Sequence, residues 1–261
     1  MTDPREVLSR PAPPPDLVLR YGDGPDHVID VRLPDRQAGP LVIFVHGGFW
    51  RAAWDRTNAG SGPLSADLVA RGFPVAAIEF RRVGQPGGGW PGTFDDVARA
   101  IRATPELLRA ESPGLDVEAP IVAGHSAGGQ LALWYAVEQP DAIGGVLALA
   151  PVADLASAYH RGTGDNAVAE LLGGGPDEVA DRYARADPMA RARPDVPTEL
   201  VHGTEDDRVP VDLSRGYATT KGVPLRELAG IDHFGVIDPE SAAWPAVLAA
   251  LDTLTGSVQR R

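Results

Sequence analysis

The chain has 261 residues, 43 % of them apolar, which is enough for one sizeable core, and a net charge of −12. That charge argues against nucleic acid or an anionic membrane as the partner. There is no cysteine, which excludes disulfides, thiol nucleophiles and cysteine-held zinc or iron–sulfur sites.

The opening residues lack the basic start and apolar run of a secretory signal. The longest apolar stretches are about five or six residues, far short of the ~20 of a membrane span. A cytoplasmic protein is therefore expected. Alternating runs at 17–21 and 28–33 flank a turn at 22–25 and predict an antiparallel hairpin. Short, mostly apolar runs follow at 41–45, 75–80, 121–123 and 146–150, the pattern of strands buried on both faces of a parallel sheet. Between them, stretches at 64–71, 94–109 and 127–138 space apolar residues by three and four and predict helices. Thr93, followed by Asp95 and Asp96, predicts a capped helix start with an acidic first turn.

Further strands at 199–201 and 225–228 and a last helix at 242–254 complete the alternation. The fold class this predicts is α/β: a mostly parallel sheet of about eight strands with helices on both faces. No linker divides the chain, so residues 1–261 are expected to form a single domain. Within it, 152–196 is an insertion with helical patterns at 167–172 and 177–184. It reads equally well as a small lid over a pocket or as a plain helical excursion.

The main chemical signal is Gly124-His125-Ser126-Ala127-Gly128-Gly129, set between a predicted strand and a predicted helix. A serine on so sharp a turn needs small neighbours, and the helix N-terminus presents free N–H groups beside its hydroxyl. The bare pattern arises often by chance; its placement is what makes it informative. Serine alone is a poor nucleophile and needs a base oriented by an acid. His233 lies in the loop before the last helix, and Glu205, Asp206 and Asp207 follow the strand at 199–201. Serine, acid and histidine thus come in that order, each just beyond a strand's C-terminal end, where open α/β sheets bind ligands. His46-Gly47-Gly48-Phe49-Trp50 ends the 41–45 strand, and its glycines let backbone N–H groups turn toward an oxyanion.

These motifs resemble the α/β-hydrolases from about residue 17 to 254. His46–Trp50 resembles the HGGxW signature of the branch that holds kynurenine formamidases and small serine esterases, and Phe80-Arg81-Arg82 with Gly87-Gly88-Gly89-Trp90-Pro91 resembles that branch's segment after the fourth strand. The resemblance implies the α/β-hydrolase fold, with Ser126 as nucleophile, His233 as base, and Gly48, Phe49 and Ala127 as oxyanion donors. It also selects Asp206 as the acid, four residues after the histidine of a His-Gly-x-x-Asp segment. Trp50, Trp90 and Phe234, with Phe49, are candidates for an aromatic substrate pocket. His125 reads as a packing residue and His202 as a brace for the acid loop. Structural or surface roles are expected for His27 and His160, and a strand-end salt bridge for Arg81 and Arg82 ahead of substrate carboxylate binding. No metal or nucleotide cofactor is implied. The expected activity is hydrolysis of a small carboxylic ester, with an aryl formamide such as N-formylkynurenine as the alternative substrate. Peptide hydrolysis, acyl transfer and a non-catalytic ligand-binding protein on the same fold are further alternatives.

Overall fold

The computed structural model describes residues 3 and 5–258. Its strands are β1 (Leu17–Arg20), β2 (Val28–Arg32), β3 (Val42–Val45), β4 (Val75–Ile78), β5 (Ile121–His125), β6 (Gly145–Leu149), β7 (Thr198–Gly203) and β8 (Leu225–Leu228). Its helices are α1 (Glu6–Ser9), α2 (Ser61–Ala70), α3 (Gly92–Glu111), α4 (Ala127–Glu138), α5 (Leu155–His160), α6 (Ala167–Leu172), α7 (Ala180–Ala186), α8 (Val211–Lys221) and α9 (Trp244–Val258). The strands join one sheet in the order β1-β2-β4-β3-β5-β6-β7-β8. β1 with β2 and β2 with β4 are antiparallel; the remaining pairs are parallel. The predicted hairpin and doubly covered sheet are both present.

Alternation along β3 divides the interior in two. Ile43 and Val45 face a cluster that includes Ile101, Leu131 and Tyr135 from α3 and α4. Val42 and Phe44 face the opposite cluster, with Leu64 and Leu68 of α2 and Val247 and Leu251 of α9. Each such side chain taken fully from water contributes roughly 1.5–3 kcal/mol, which is why continuous apolar runs became central strands. β1, at the sheet edge, alternates instead, and its Val18 is exposed.

Three local expectations need correction or extension. Thr93 does not cap α3, which begins one residue earlier after Pro91. Its hydroxyl instead donates to the Arg81 carbonyl at 2.6 Å and accepts the Gly89 N–H at 3.0 Å. Three helices, α1, α5 and α8, carry too little periodicity to be read from sequence. In α8, Leu213, Ser214 and Tyr217 are the buried residues, and the four-residue α1 has only Val7. Val7 is nevertheless fully buried in the second cluster, and Arg10 just after it pairs with Asp238 at 2.5 and 3.1 Å. The N-terminal segment is thereby strapped to the loop that follows His233.

Between β6 and β7 the chain forms α5, α6 and α7. Asp187 joins the two ends of this region, accepting the Ala156 N–H at 3.1 Å and the Met189 N–H at 3.0 Å. Burial pushes its carboxyl up to about 6 despite those bonds.

Glycines let α4 approach the sheet. A Cβ on Gly128 would lie 2.1 Å from the Val45 carbonyl oxygen and 2.4 Å from that of His46; one on Gly124 would lie 2.2 Å from the Gly128 carbonyl oxygen. Backbone cannot step aside as a side chain can. Gly128→Ala is expected to cost about 3 kcal/mol or more in urea unfolding, at or beyond the usual overpacking range. Gly114→Ala, whose Cβ would meet nothing within 4 Å, is the control and should leave the midpoint nearly unchanged.

Candidate active site

Ser126 joins β5 to α4 with φ 55° and ψ −117°, a conformation that L residues rarely adopt and that costs on the order of 1–3 kcal/mol. Backbone bonds hold it there. The Ser126 N–H donates to Leu149 at 2.8 Å, and its carbonyl accepts Gln130 and Val152 N–H groups at 3.1 and 3.2 Å. The turn places the serine against a cavity of about 430 Å³ that is also lined by Gly47, Gly48, Phe49, His233 and Phe234. Arg5 and Leu8 border it from the N-terminal segment, and Gly164 and Asp165 from the region between β6 and β7.

His233 reaches the same cavity from the loop after β8. Its Nδ1–H donates to Asp206 Oδ2 at 2.6 Å, so the carboxylate fixes the tautomer and leaves Nε2 able to accept a proton. Asp206 sits after β7, buried and enclosed by donors. Oδ2 also accepts His202 Nε2–H at 3.0 Å, and Oδ1 accepts the Arg208 and Val209 N–H groups at 2.8 and 2.7 Å. Burial alone would raise the Asp206 pKa. The bonds from His202, His233 and Val209 outweigh it and hold the carboxyl well below the usual carboxylate range. His202 Nε2 faces two acceptors, Asp206 and the Val209 carbonyl, while its Nδ1 lies 2.7 Å from the Ser214 hydroxyl, which can donate to it. It braces Asp206. Neither Asp207 nor Glu205 takes this position: Asp207 is exposed beside Arg208, and the Glu205 backbone N–H bonds the Ile231 carbonyl. Among the described residues the Ser126 hydroxyl makes no hydrogen bond, whereas Asp206 and His233 are joined.

Opposite Ser126 runs the loop after β3, with φ 111° at Gly48, 52° at Phe49 and 56° at Trp50. A Cβ on Gly47 would lie 3.1 Å from the Ser126 Cβ, which shows how closely this loop crosses the serine. Among the described residues no protein acceptor takes the N–H of Gly48, Phe49 or Ala127. Three unpaired donors thus lie in the two segments that meet at Ser126, and such donors can stabilise a developing oxyanion.

The aromatic candidates separate. Phe49 and Phe234 line the cavity, whereas Trp50 and Trp90 do not. Trp50 is buried in the core, where its Nε1–H donates to Gln130 Oε1 at 3.1 Å, because the left-handed loop turns it inward. Trp90 packs on Phe94 at 4.9 Å and under the Arg185 guanidinium at 5.1 Å, beside a different depression. Substrate-pocket roles for both tryptophans are withdrawn. Arg81 forms a two-point pair with Asp96, both bonds at 2.7 Å, and Arg82 pairs with Glu79 and Asp26, so neither faces the cavity. His27 accepts the Gly24 N–H, and His160 packs against Tyr159.

Sequence reasoning undervalued His125. Its Nε2–H donates to the His233 carbonyl at 3.0 Å and its ring lies 4.5 Å from the His233 ring, so it positions His233 rather than merely filling space. Burial and the neighbouring His233 push its pKa down to about 3, which keeps it neutral in that role. Its place inside the serine turn was the available signal. Ser214 gave none, since its partner lies 12 residues away on another element.

A carboxylate whose folded pKa lies below its unfolded value adds stability above the unfolded value and loses it as pH falls toward the folded one. From the ordinary aspartate value of 3.8 downward, wild type should therefore lose unfolding free energy in part through Asp206. Urea titrations at pH 7, 4 and 3 should give a shallower decline for Asp206→Asn; parallel declines would mean that the carboxyl is not depressed.

The BD-FAE family model matches residues 29–220. A protein of Arabidopsis thaliana described as probable isoprenylcysteine alpha-carbonyl methylesterase ICMEL1 is 27 % identical over 227 residues, 77 % of this chain and 46 % of its own length. Kynurenine formamidase of Salmo salar is 30 % identical over 118 residues, 44 % of this chain and 36 % of its own. The chain thus spans less than half the length of these curated relatives. Among solved structures, esterase B from Lactobacillus rhamnosis superposes with a TM-score of 0.76 at 18 % identity, covering 98 % of this chain and 91 % of its own. A bacterial heroin esterase gives 0.71 at 23 %, covering 93 % and 83 %. The solved structures bear on fold and the family match covers most of the chain: it belongs to the BD-FAE family, within the α/β-hydrolase superfamily.

Proposed function

We propose that the chain is a serine hydrolase that cleaves small carboxylic esters through an acyl-enzyme on Ser126. The observation that carries this reading is the 2.6 Å bond between His233 Nδ1 and Asp206 Oδ2, with the other face of that histidine on the cavity that Ser126 lines. In the first step His233 Nε2 takes the Ser126 proton as the hydroxyl oxygen attacks the substrate carbonyl. The oxyanion accepts N–H groups from Gly48 or Phe49 and from Ala127, and Asp206 stabilises the imidazolium. His233 then gives its proton to the leaving alcohol as the carbonyl–oxygen bond breaks. Water repeats the sequence and frees the acid.

A cavity of about 430 Å³ suits a small substrate, and Phe49, Phe234 and Leu8 give its walls apolar character. The region 152–196 acts as the lid of this single domain. Gly164 lies so close to the Phe49 ring that a Cβ there would meet it at 2.5 Å, and Arg51 holds the region by bonds to Glu170 and the Asp165 carbonyl at 2.7 and 2.8 Å. The methylesterase and the formamidase among the relatives support cleavage of an ester or a formamide. The second of them favours one alternative, an arylformamidase, in which the same residues would expel an aromatic amine.

Wild type should hydrolyse p-nitrophenyl acetate or butyrate. Ser126→Ala should lower kcat by on the order of 10⁴–10⁶ and Asp206→Asn by about 10⁴. Full turnover by Ser126→Ala overturns the reading. N-formylkynurenine in the same plate decides between the two substrates, and failure of a fluorophosphonate to label Ser126 would favour a binding protein. Arg51→Ala frees the lid from the loop beneath it and is expected to raise KM several-fold while kcat changes less, as steady-state kinetics would read directly.

A further inference from the structure

His46 stands at the head of the loop that crosses Ser126, and nothing in the mechanism above uses its side chain. It is 1 % exposed, and its ring stacks on Phe80 with centroids 4.6 Å apart. Nδ1 lies 2.7 Å from the Gly47 carbonyl oxygen, and Nε2 lies 3.1 Å from Glu79 Oε1. A carbonyl oxygen only accepts, so Nδ1 carries a proton.

The other nitrogen is decided by Glu79, which is equally buried. Its Oε1 also accepts the Phe80 N–H at 2.9 Å and the Arg82 guanidinium, and its Oε2 accepts the Arg56 N–H at 3.0 Å. Burial would raise this carboxyl, but His46, Arg82 and the Arg56 N–H bring it down to about 2. Paired with the buried Arg82 guanidinium, Glu79 is ionised and its oxygens only accept, so His46 Nε2 donates to it. Both ring nitrogens therefore donate, which makes the ring an imidazolium.

The directly ion-paired groups around it balance in that form. Glu79 contacts Arg82 and Arg56, Arg82 pairs with Asp26 at 2.7 Å, and Arg56 lies 3.0 Å from Asp30. Three carboxylates in this ion-paired cluster face two guanidiniums, and His46 supplies the third positive charge. An unbalanced charge at this depth would be costly.

The Gly47 carbonyl belongs to the same peptide unit as the Gly48 N–H. A cation bonded to the oxygen of a peptide draws electron density toward it and makes the N–H at its other end a stronger donor. We propose that His46 is a cationic positioning residue, kept protonated by Glu79, that holds the Gly47–Gly48 peptide beside Ser126 and strengthens the Gly48 N–H for the oxyanion. The catalytic half of this inference rests on the hydrolase reading; the charge on His46 does not.

Two measurements test it. In protein labelled with ¹⁵N-histidine, the His46 signals are assigned by their loss in His46→Gln. Both ring nitrogens should be protonated at pH 7.5 in wild type, and one should be unprotonated in Glu79→Gln. Kinetically, Glu79→Gln should lose about 10–100-fold in kcat, less than the ~10²–10³ of deleting an oxyanion donor outright, with KM little changed. Affinity for a trifluoromethyl ketone, whose adduct carries the oxyanion, should fall in parallel, and Glu79→Asp should recover part of both. An unprotonated nitrogen on His46 in wild type overturns the proposal, as does unchanged kcat in a folded Glu79→Gln. If Glu79→Gln does not fold, the wild-type spectrum and the kcat of His46→Gln decide it by the same criteria. A protonated His46 in a protein without Ser126-dependent turnover would keep the charge and overturn its catalytic use, which separates this failure from that of the hydrolase reading.

Discussion

The site depends on how closely two pieces of backbone approach where α4 meets the sheet. Gly128 rests against the carbonyl oxygens of Val45 and His46, and Gly124 against Gly128. Because no side-chain atom intervenes, the helix N-terminus and the loop after β3 converge from opposite directions on Ser126. The strained φ of the serine follows from the same closeness, for the chain must turn from strand to helix within one residue. Loss of that approach would separate the N–H groups of Ala127 and Gly48 whatever became of the side chains.

Two carboxylate–histidine pairs flank the serine, and their designs differ. Asp206 is shared by two histidines and two backbone N–H groups, and the histidine that faces the cavity is left with a nitrogen free to take a proton. Glu79 is shared by a histidine, two arginine side chains and two backbone N–H groups, and both nitrogens of that histidine are committed. In the proposed reaction one imidazole changes charge while the other keeps its own. A site that moves a proton on one side benefits from electrostatics that do not move on the other.

Much of this was legible because the relevant signals are local. The strand-to-helix turn around Ser126, the glycines after His46 and the loop of His233 each declare themselves within six residues, and the buried strands declare themselves by composition. Asp206 needed family resemblance, since three acids stand in a row and only the backbone decides which of them faces inward. The misreadings have one cause. Trp50 and Trp90 lie close in sequence to motif residues, but position in a motif says nothing of which way a side chain turns when φ is positive or when a neighbouring guanidinium offers a better partner. The pairing of His46 with Glu79 spans 33 residues and two strands, and no pattern along the chain encodes it. The N-terminal strap was invisible because a single buried valine carries most of its docking.

That strap has a consequence for how such a protein diversifies. The family match begins at residue 29, yet Arg5 and Leu8 form part of the cavity wall, held there by Val7 in its socket and by Arg10 on Asp238. That match also stops before His233 and Phe234, so the cavity is completed by segments from both ends of the chain that lie outside the matched residues. A segment anchored at two points can change its cavity-facing residues without disturbing the sheet. Selectivity can in this way evolve at the margin of the fold while the chemistry at its centre stays as it is.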